Sequence, residues 1–202
     1  MVQPTQTSDP NPRLSVIFPG DENFQDILSW EFPAEPFYLR QVQRALESDM
    51  PQRVLHEDGI IFGLHVMDKN SRHLIGFGAI SQSKLYSEYA DNRRHFYLPL
   101  LAARPDMTGR GFGKVILDHL ISYASAEFLE SETNDQEIAD LIFLDVYIAN
   151  PIRNWYTGPS YEFRVLNENN PKLDPDENNE PYYIMSRSLR LPGPESGLQP
   201  TD

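Results

Sequence analysis

The glycine-rich stretch 107–114 has the residue types of an anion-binding loop. It reads Met-Thr-Gly-Arg-Gly-Phe-Gly-Lys, with Gly109, Gly111 and Gly113 at alternate positions. Glycine allows a tight turn and a close approach of the main chain to a ligand, because it has no Cβ. The pattern that follows predicts a helix from near Phe112, whose first N–H groups and positive dipole end face the loop. The stretch therefore predicts a phosphate site made mostly of main chain.

Two better-known phosphate loops do not fit this stretch. A Walker A loop needs a glycine at the position of Thr108 and a serine or threonine at the position of Val115. The Rossmann fingerprint has a different glycine spacing and lies on the first strand of its sheet. The remaining alternative is a purely structural turn between a strand and a helix, formed by Gly109 and Gly111.

One carboxylate is a candidate base. Asp145 is the only acidic residue inside the apolar run 141–148. Burial among apolar neighbours should raise its pKa, which would let it take up a proton near neutral pH. The alternatives are a carboxylate that is hydrogen-bonded for structure, or one that attracts a cationic substrate without taking its proton. His95 and Tyr147 are weaker candidates for the base, because nothing in the sequence fixes their direction.

The composition predicts one globular domain without disulfides or a metal. The chain has 202 residues, 40% of them hydrophobic, and no cysteine. His65 lacks a partner at metal-ligand spacing, so we predict that it packs within a strand. No apolar run is long enough to span a bilayer and the N-terminus lacks a signal-peptide core, which predicts a cytoplasmic protein with no membrane partner. We expect the domain over 14–190, between disordered tails at 1–13 and 191–202.

The net charge of −13 bears on the class of partner. Nucleic acid is not expected, because phosphate backbones require clustered Lys and Arg. An acidic protein suits a cationic substrate, although solubility alone also explains the charge. An oligomer such as a dimer is compatible with the sequence, which does not determine the oligomeric state.

The elements that would position the candidate residues form a strand–helix–strand unit over 96–148. A strand over 96–103 leads into the glycine loop, and apolar residues at every fourth position predict a helix along 112–128. The near-continuous apolar run 141–148 predicts a strand buried on both faces, as in a parallel pair joined by a helix. Pro99 cannot donate to a sheet ladder, so it predicts an edge, a bulge or a local loss of pairing.

Further elements flank this unit on both sides. The remaining strands are predicted at 14–18, 59–67, 74–80, 161–166 and 182–189. The remaining helices are predicted at 22–30, 36–47 and 150–156. The Asn-, Asp- and Pro-rich region 167–181 is predicted to be a mobile loop, and 81–94 is a loop long enough to line a site.

The residues around the glycine loop resemble a motif of the GNAT family of N-acetyltransferases. The family pattern is an apolar strand end, a proline, then Gln or Arg, two residues, Gly, one residue, and Gly or Ala. Here Leu-Ala-Ala-Arg-Pro at 101–105 precedes the loop, and Gly111 and Gly113 match the two family glycines. Thr108 stands where the family usually has Gln or Arg. The resemblance covers roughly residues 14–189.

The resemblance implies a mixed α/β fold, with a sheet of about seven strands splayed between its two central strands and about four flanking helices. It implies acetyl-CoA as the cosubstrate. The pyrophosphate would lie on Thr108, Gly109, Arg110, Gly111, Phe112, Gly113 and Lys114. The pantetheine arm would pair with Leu101, Ala102 and Ala103 like an added strand, and Asn150 would also contact the cofactor. Arg104, Arg110 and Lys114 would provide positive charge.

The resemblance also implies catalytic roles. Tyr156 matches the family tyrosine that protonates the departing thiolate, although it follows Asn150 by six residues where the family has seven, and the next Gly-Phe pair is absent. Asp145 lies five residues before Asn150, where some members keep a glutamate that deprotonates the amine through water. The oxyanion donor would be a main-chain N–H near Leu101.

These features predict an acetyl-CoA-dependent N-acetyltransferase that acts on a primary amine of a small molecule or a protein, with Asp145 as base and Tyr156 as acid. A toxin acting on aminoacyl-tRNA is a variant of this class that the net charge disfavours. One alternative is a non-catalytic acyl-CoA-binding or regulatory module, since the Tyr156 segment departs from the family pattern. Another is an interaction domain that binds a basic partner through the acidic loops 130–137 and 167–180.

Overall fold

The computed structural model describes residues 12–18, 20–33, 37–48, 54, 59–68, 71–82, 85–90, 95–131, 141–174 and 179–189. The strands are β1 (Arg13–Ile17), β2 (Ile60–Asp68), β3 (Ser71–Ser81), β4 (Phe96–Ala103), β5 (Leu141–Tyr147), β6 (Arg164–Val165), β7 (Lys172–Asp174) and β8 (Glu180–Ser188). The helices are α1 (Glu22–Leu28), α2 (Phe37–Glu47), α3 (Phe112–Ser131) and α4 (Arg153–Thr157). Short 3₁₀ turns lie at Ser87–Tyr89 and Pro105–Met107.

The strands form one mixed sheet in the order β1-β2-β3-β4-β5-β8-β6, with β7 also paired to β8. Strands β4 and β5 are parallel, and α3 lies between them in the chain, which confirms the predicted strand–helix–strand unit. The other registered pairs, among them β1 with β2 and β5 with β8, are antiparallel. The predicted mixed α/β class is therefore confirmed. The sheet has eight strands where about seven were expected, and the described residues contain four helices.

The chain divides into two compact units. The first consists of Met1–Ile80 and Leu100–Asp118, and the second of Ser81–Pro99 and His119–Asp202. Strand β4 and helix α3 each contribute residues to both units. The single domain expected over 14–190 stays a prediction. Most of the two predicted tails lies outside the described residues, and β1 begins at Arg13.

The first unit holds the elements on both sides of the glycine loop. Asp68 at the end of β2 pairs with Ser71 at the start of β3, so the two antiparallel strands form a hairpin. The core combines residues of β1 to β3, α1, α2 and the end of β4: Ile17, Phe24, Ile27, Leu46, Ile61, Leu74, Phe77, Leu100 and Ala102. Gly76 lets the end of β4 and the start of α3 approach β3, because a Cβ there would lie 2.7 Å from Ile116 Cδ1 and 3.2 Å from Ala102 O.

The second unit is built around β5, which lies between β4 and β8. Ile142, Phe143, Leu144 and Val146 are buried, as the continuous apolar run predicted. The ladder between β4 and β5 ends at the pair of Leu98 with Leu144, directly before Pro99. This position agrees with the local loss of pairing predicted from the missing N–H of proline.

Three predictions for the C-terminal third are corrected. Asn150 was predicted to cap a helix that begins at Pro151, but α4 begins at Arg153, and Asn150 Oδ1 accepts the N–H of Ile152 at 3.0 Å in the preceding turn. The strand predicted at 161–166 is reduced to β6, because the N–H of Tyr161 bonds to Gly158 O in a turn.

The region predicted as a mobile loop, 167–181, contains strand β7 and the start of β8. Asn167 explains part of this order, because its side-chain amide acts like a strand main chain. Its Oδ1 accepts the N–H of Ile184 at 2.8 Å, and its Nδ2 donates to Tyr182 O at 3.3 Å. Residues 175–178 of this region lie outside the described chain.

Candidate active site

The glycine loop has the main-chain geometry that its sequence predicted. Gly109 and Gly111 adopt φ values of 76° and 81°, in the left-handed region that favours glycine. Apart from the adjacent residues and the backbone of the helix itself, no described atom lies within 4 Å of the Cβ position at Gly109, Gly111 or Gly113. A ligand could therefore reach the main chain of this loop without displacing a neighbouring side chain.

The start of α3 presents five consecutive unsatisfied donors. Within the described chain, the N–H groups of residues 109–113 have no hydrogen-bond acceptor, whereas the N–H of Lys114 bonds to Gly111 O at 3.0 Å. Unsatisfied N–H groups at a helix N-terminus, together with the helix dipole, bind phosphate or another anion. The loop is thus chemically suited to the pyrophosphate of a nucleotide cofactor.

The basic side chains near the loop are less available than the sequence suggested. Arg104 pairs with Asp106 at 2.7 Å, and Lys114 pairs with Asp118 at 2.9 Å. Arg110 is exposed and forms no salt bridge among the described residues. The hydrogen bond with Arg104 is the main cause of the lowered pKa of Asp106, and the Arg110 charge adds a smaller effect. The positive charge expected from three residues therefore comes mainly from Arg110, unless an anion draws the other two away from their partners.

Thr108 and the end of β4 complete the loop's surroundings. Thr108 Oγ1 donates to Pro105 O at 3.1 Å, so this side chain closes the preceding turn. In β4, Leu100 and Ala102 are buried, whereas Leu101 and Ala103 are only partly buried. The N–H of Arg104 donates to Ile75 O at 2.8 Å, which fixes the chain as it leaves β4.

Asp145 lies at the centre of a tyrosine cluster in the second unit. Its Oδ1 accepts the hydroxyl of Tyr86 at 2.5 Å, and its Oδ2 accepts the hydroxyl of Tyr97 at 2.8 Å. Burial raises the pKa of Asp145 to about 6, while the two tyrosine hydrogen bonds oppose that rise. The raised pKa predicted from the sequence is confirmed. The same hydrogen bonds also fit the alternative that Asp145 is a structural carboxylate, so the geometry is compatible with a base and with a structural role.

Tyr156 presents a phenol suited to donate a proton. It lies in α4, where its ring contacts Trp155 and Phe163 at centroid distances of 5.1 and 5.8 Å. Burial raises the pKa of Tyr156, which keeps the hydroxyl protonated at neutral pH. The hydroxyl makes no hydrogen bond to any described residue, so its proton is not committed elsewhere.

The weaker candidates for the base have other contacts. His95 is buried and its Nε2 lies 2.6 Å from Leu85 O, so this nitrogen carries a proton and donates it to the carbonyl. The Tyr147 hydroxyl donates to the carboxylate of Asp174. His65 is packed within β2, as predicted, and burial lowers its pKa to about 4.

Sequence reasoning did not identify Tyr86, Tyr97 or Asp174 as neighbours of Asp145. Tyr97 of β4 pairs in register with Phe143 of β5, and Asp145 follows two positions later on the same face. The period-2 alternation of strand side chains was a usable signal for this contact. Asp174 was missed because its strand, β7, was predicted to be a loop.

The described residues contain no group of three or more His, Asp or Glu side chains that could hold a metal. No helix in the described part of the chain is long and apolar enough to cross a membrane.

Comparison with solved structures shows the fold. The chain is similar to AtaTR bound with AcCoA, with 14% identity, a TM-score of 0.57, and coverage of 89% of this chain and 94% of that chain. It is also similar to the ribosomal-protein-S18-alanine N-acetyltransferase from Escherichia coli, with 16% identity, a TM-score of 0.56, and coverage of 94% and 99%. At these identities the likeness establishes the fold alone.

A third similar structure is the KacTA–DNA complex, with 14% identity, a TM-score of 0.51, and coverage of 89% of this chain and 94% of that chain. Because that neighbour was solved with DNA, the fold gives no support to the expectation, drawn from charge, that nucleic acid is not a partner.

A search of the curated proteins finds no match. The family model described as "Acetyltransferase (GNAT) family" matches residues 22–141, which is more than half of the chain and includes the whole glycine loop. The chain therefore belongs to the GNAT family of acetyltransferases.

Proposed function

We propose that this protein is an N-acetyltransferase that moves an acetyl group from acetyl-CoA directly to a primary amine of a small molecule or a protein. The observation that carries the proposal is the row of five unsatisfied N–H groups over 109–113, opened by two glycines in left-handed conformations. A row of this kind is suited to a pyrophosphate. Family membership and an acetyl-CoA-bound structural neighbour support the same cosubstrate.

The residues of the first unit would hold the cosubstrate. The N–H groups of 109–113 would bind the pyrophosphate, and Thr108, Arg110 and Lys114 would lie beside it. The main chain of Leu101, Ala102 and Ala103 would pair with the pantetheine arm, and a main-chain N–H near Leu101 would stabilise the oxyanion. Bound acetyl-CoA would supply a thioester as the acetyl donor.

Two residues of the second unit would move protons. An amine is protonated near pH 7 and must lose a proton before it attacks a carbonyl carbon. Asp145, with a pKa raised to about 6, would take that proton directly or through a water molecule. Tyr156 would give its hydroxyl proton to the departing thiolate, and Asn150 would contact the cosubstrate from the turn before α4.

The proposal is tested by measuring thiol release from acetyl-CoA with a panel of primary amines, together with mass-spectrometric detection of the N-acetyl product. We expect thiol and product in equal amounts with at least one amine. Saturable acetyl-CoA binding without transfer to any amine would favour the non-catalytic acyl-CoA-binding module. No binding would favour the interaction domain.

A further inference from the structure

A small pocket in the second unit lies against Asp145. It has a volume of about 200 Å³ and is lined by Asp145, Tyr147, Asp174 and Tyr182. Strand register brings these residues together, because Tyr147 of β5 pairs with Tyr182 of β8, which in turn pairs with Lys172 of β7. The pocket therefore combines residues from three adjacent strands.

The lining of the pocket has the chemistry of a cation site. Both acidic side chains are held by phenol donors: Tyr86 and Tyr97 donate to Asp145, and Tyr147 donates to Asp174. Oriented carboxylates accept hydrogen bonds from an ammonium group, and tyrosine ring faces attract cations. Among the described residues, no basic side chain lines the pocket.

The side chain of Lys172 lies among the tyrosines next to this pocket. The Lys172 ammonium lies 5.5 Å from the ring centroid of Tyr86 and 5.9 Å from that of Tyr89. It also lies 3.5 Å from Glu88 Oε1. Burial raises the pKa of Asp145, and the Lys172 charge is one of the smaller effects that oppose this rise. The tyrosine cluster thus accommodates an alkylammonium group in this structure.

We propose that the pocket of Asp145, Tyr147, Asp174 and Tyr182 is the acceptor subsite, and that it selects a primary alkylammonium group carried on an aliphatic chain. The inference rests on the proposed acetyltransferase function and adds the class of amine. A free diamine and the lysine side chain of a peptide share this chemistry. An amine next to a carboxylate, as in a free amino acid, is disfavoured because its anionic group would face two aspartates.

The test compares steady-state kinetics of thiol release for 1,5-diaminopentane, a lysine-containing peptide and glycine. Asp174→Asn keeps an oxygen that can accept the Tyr147 hydroxyl but removes the charge. It should raise the KM for the alkylamine about 10-fold or more, on the scale of a charge-assisted hydrogen bond, with a smaller change in kcat. Glu168→Gln removes an exposed carboxylate of the same segment outside the pocket and should leave KM unchanged.

A second variant is expected to change the KM for the alkylamine in the opposite direction. Lys172→Gln removes the lysine charge that lies next to the pocket and would repel the substrate ammonium group. The KM for the alkylamine should therefore fall roughly 2- to 5-fold, on the scale of an exposed charge pair. The ratio of activities with the diamine and with the peptide distinguishes the two sources of the alkylammonium group. Equal KM values in wild type, Asp174→Asn and Lys172→Gln would overturn the subsite, as would glycine being the preferred acceptor.

Direct binding separates this inference from the proposed function. Calorimetric titration of 1,5-diaminopentane into the full chain without acetyl-CoA should show saturable binding that Asp174→Asn weakens and Glu168→Gln does not. Such binding without any acetyl transfer would refute the proposed function and leave the cation site standing. Acetyl transfer to the diamine with unaltered binding in Asp174→Asn would refute the site and leave the function standing.

Discussion

At the level of single residues, burial raises the pKa values of both Tyr156 and Asp145. Burial keeps the Tyr156 phenol protonated, and the hydroxyl has no acceptor among the described residues. Burial also raises the pKa of the Asp145 carboxyl to about 6, close to the pH at which a general base is most effective. One group is thus prepared to donate a proton and the other to accept one.

Replacing Tyr156 with Phe removes the proposed acid while keeping its ring contacts. Thiol release should slow about 10²-fold or more, on the scale of general acid catalysis, with little change in acetyl-CoA affinity. Tyr183→Phe is the matched control, because it also removes a phenol hydroxyl while keeping the ring that contacts Arg153 of α4 and the strand pairing with Val146. Steady-state kinetics and calorimetry measure the two effects, and full activity in Tyr156→Phe would remove this residue from the mechanism.

The pH dependence of kcat/KM tests Asp145. The base must be ionised, so activity should fall as the pH decreases through about 6, rather than near the ordinary carboxyl pKa of about 4. The acceptor amine also titrates, so the profile of the wild type is divided by that of Asp145→Asn. We expect a limb near pH 6 in this ratio and a much slower variant. A flat ratio with retained activity would assign Asp145 a structural role only.

The local sequence was sufficient to predict the direction of the pKa shift of Asp145, but it did not predict the hydrogen-bond donors of this carboxylate. The apolar run around it made desolvation predictable. Its hydroxyl donors, Tyr86 and Tyr97, lie 59 and 48 residues away in the chain. Contacts of this kind depend on strand register and on the path of a long loop, which composition does not determine.

At the scale of elements, the turn between β4 and α3 was predictable because glycine preferences are local. Positive φ at Gly109 and Gly111 and a helix beginning at Phe112 follow directly from the residue types. Strand β7 was not predictable for the opposite reason. Its three residues are held by pairing with β8, and that pairing joins Lys172 to Tyr182 and Asp174 to Glu180, which a reading of local composition does not reveal.

Gly111→Val tests the loop as a phosphate site. The Cβ position at Gly111 is open, so the effect should come from a β-branched residue at φ 81°, which forces the main chain to change and displaces the N–H groups. Calorimetry should show acetyl-CoA affinity reduced at least about 10-fold, on the scale of one such strain energy.

Gly20→Val is a matched control for this substitution. Gly20 has φ 89° and an equally open Cβ position, but it lies in the turn before α1. Both variants should lose thermal stability, because each places a β-branched residue at a positive φ. The Gly20→Val control should keep the affinity for acetyl-CoA. Equal affinity in both variants would show that the glycine loop does not hold the phosphates.

At the scale of the whole molecule, the net charge of −13 carried less information than the local motif. It led to the expectation that nucleic acid is not a partner, which stays a prediction. The family assignment came instead from the stretch 22–141, which contains the glycine loop. Overall charge describes solubility and long-range attraction, whereas the site depends on a few main-chain groups.

Calorimetric titration of the full chain with acetyl-CoA measures whether the main chain of this loop binds the phosphates of the cosubstrate. We expect saturable one-to-one binding of acetyl-CoA. We also expect binding about 10²-fold weaker or more for S-acetylpantetheine, which lacks the adenosine together with the phosphates that the N–H groups of 109–113 would bind. Absence of saturable acetyl-CoA binding, or equal affinity for the two compounds, would contradict phosphate binding by this loop.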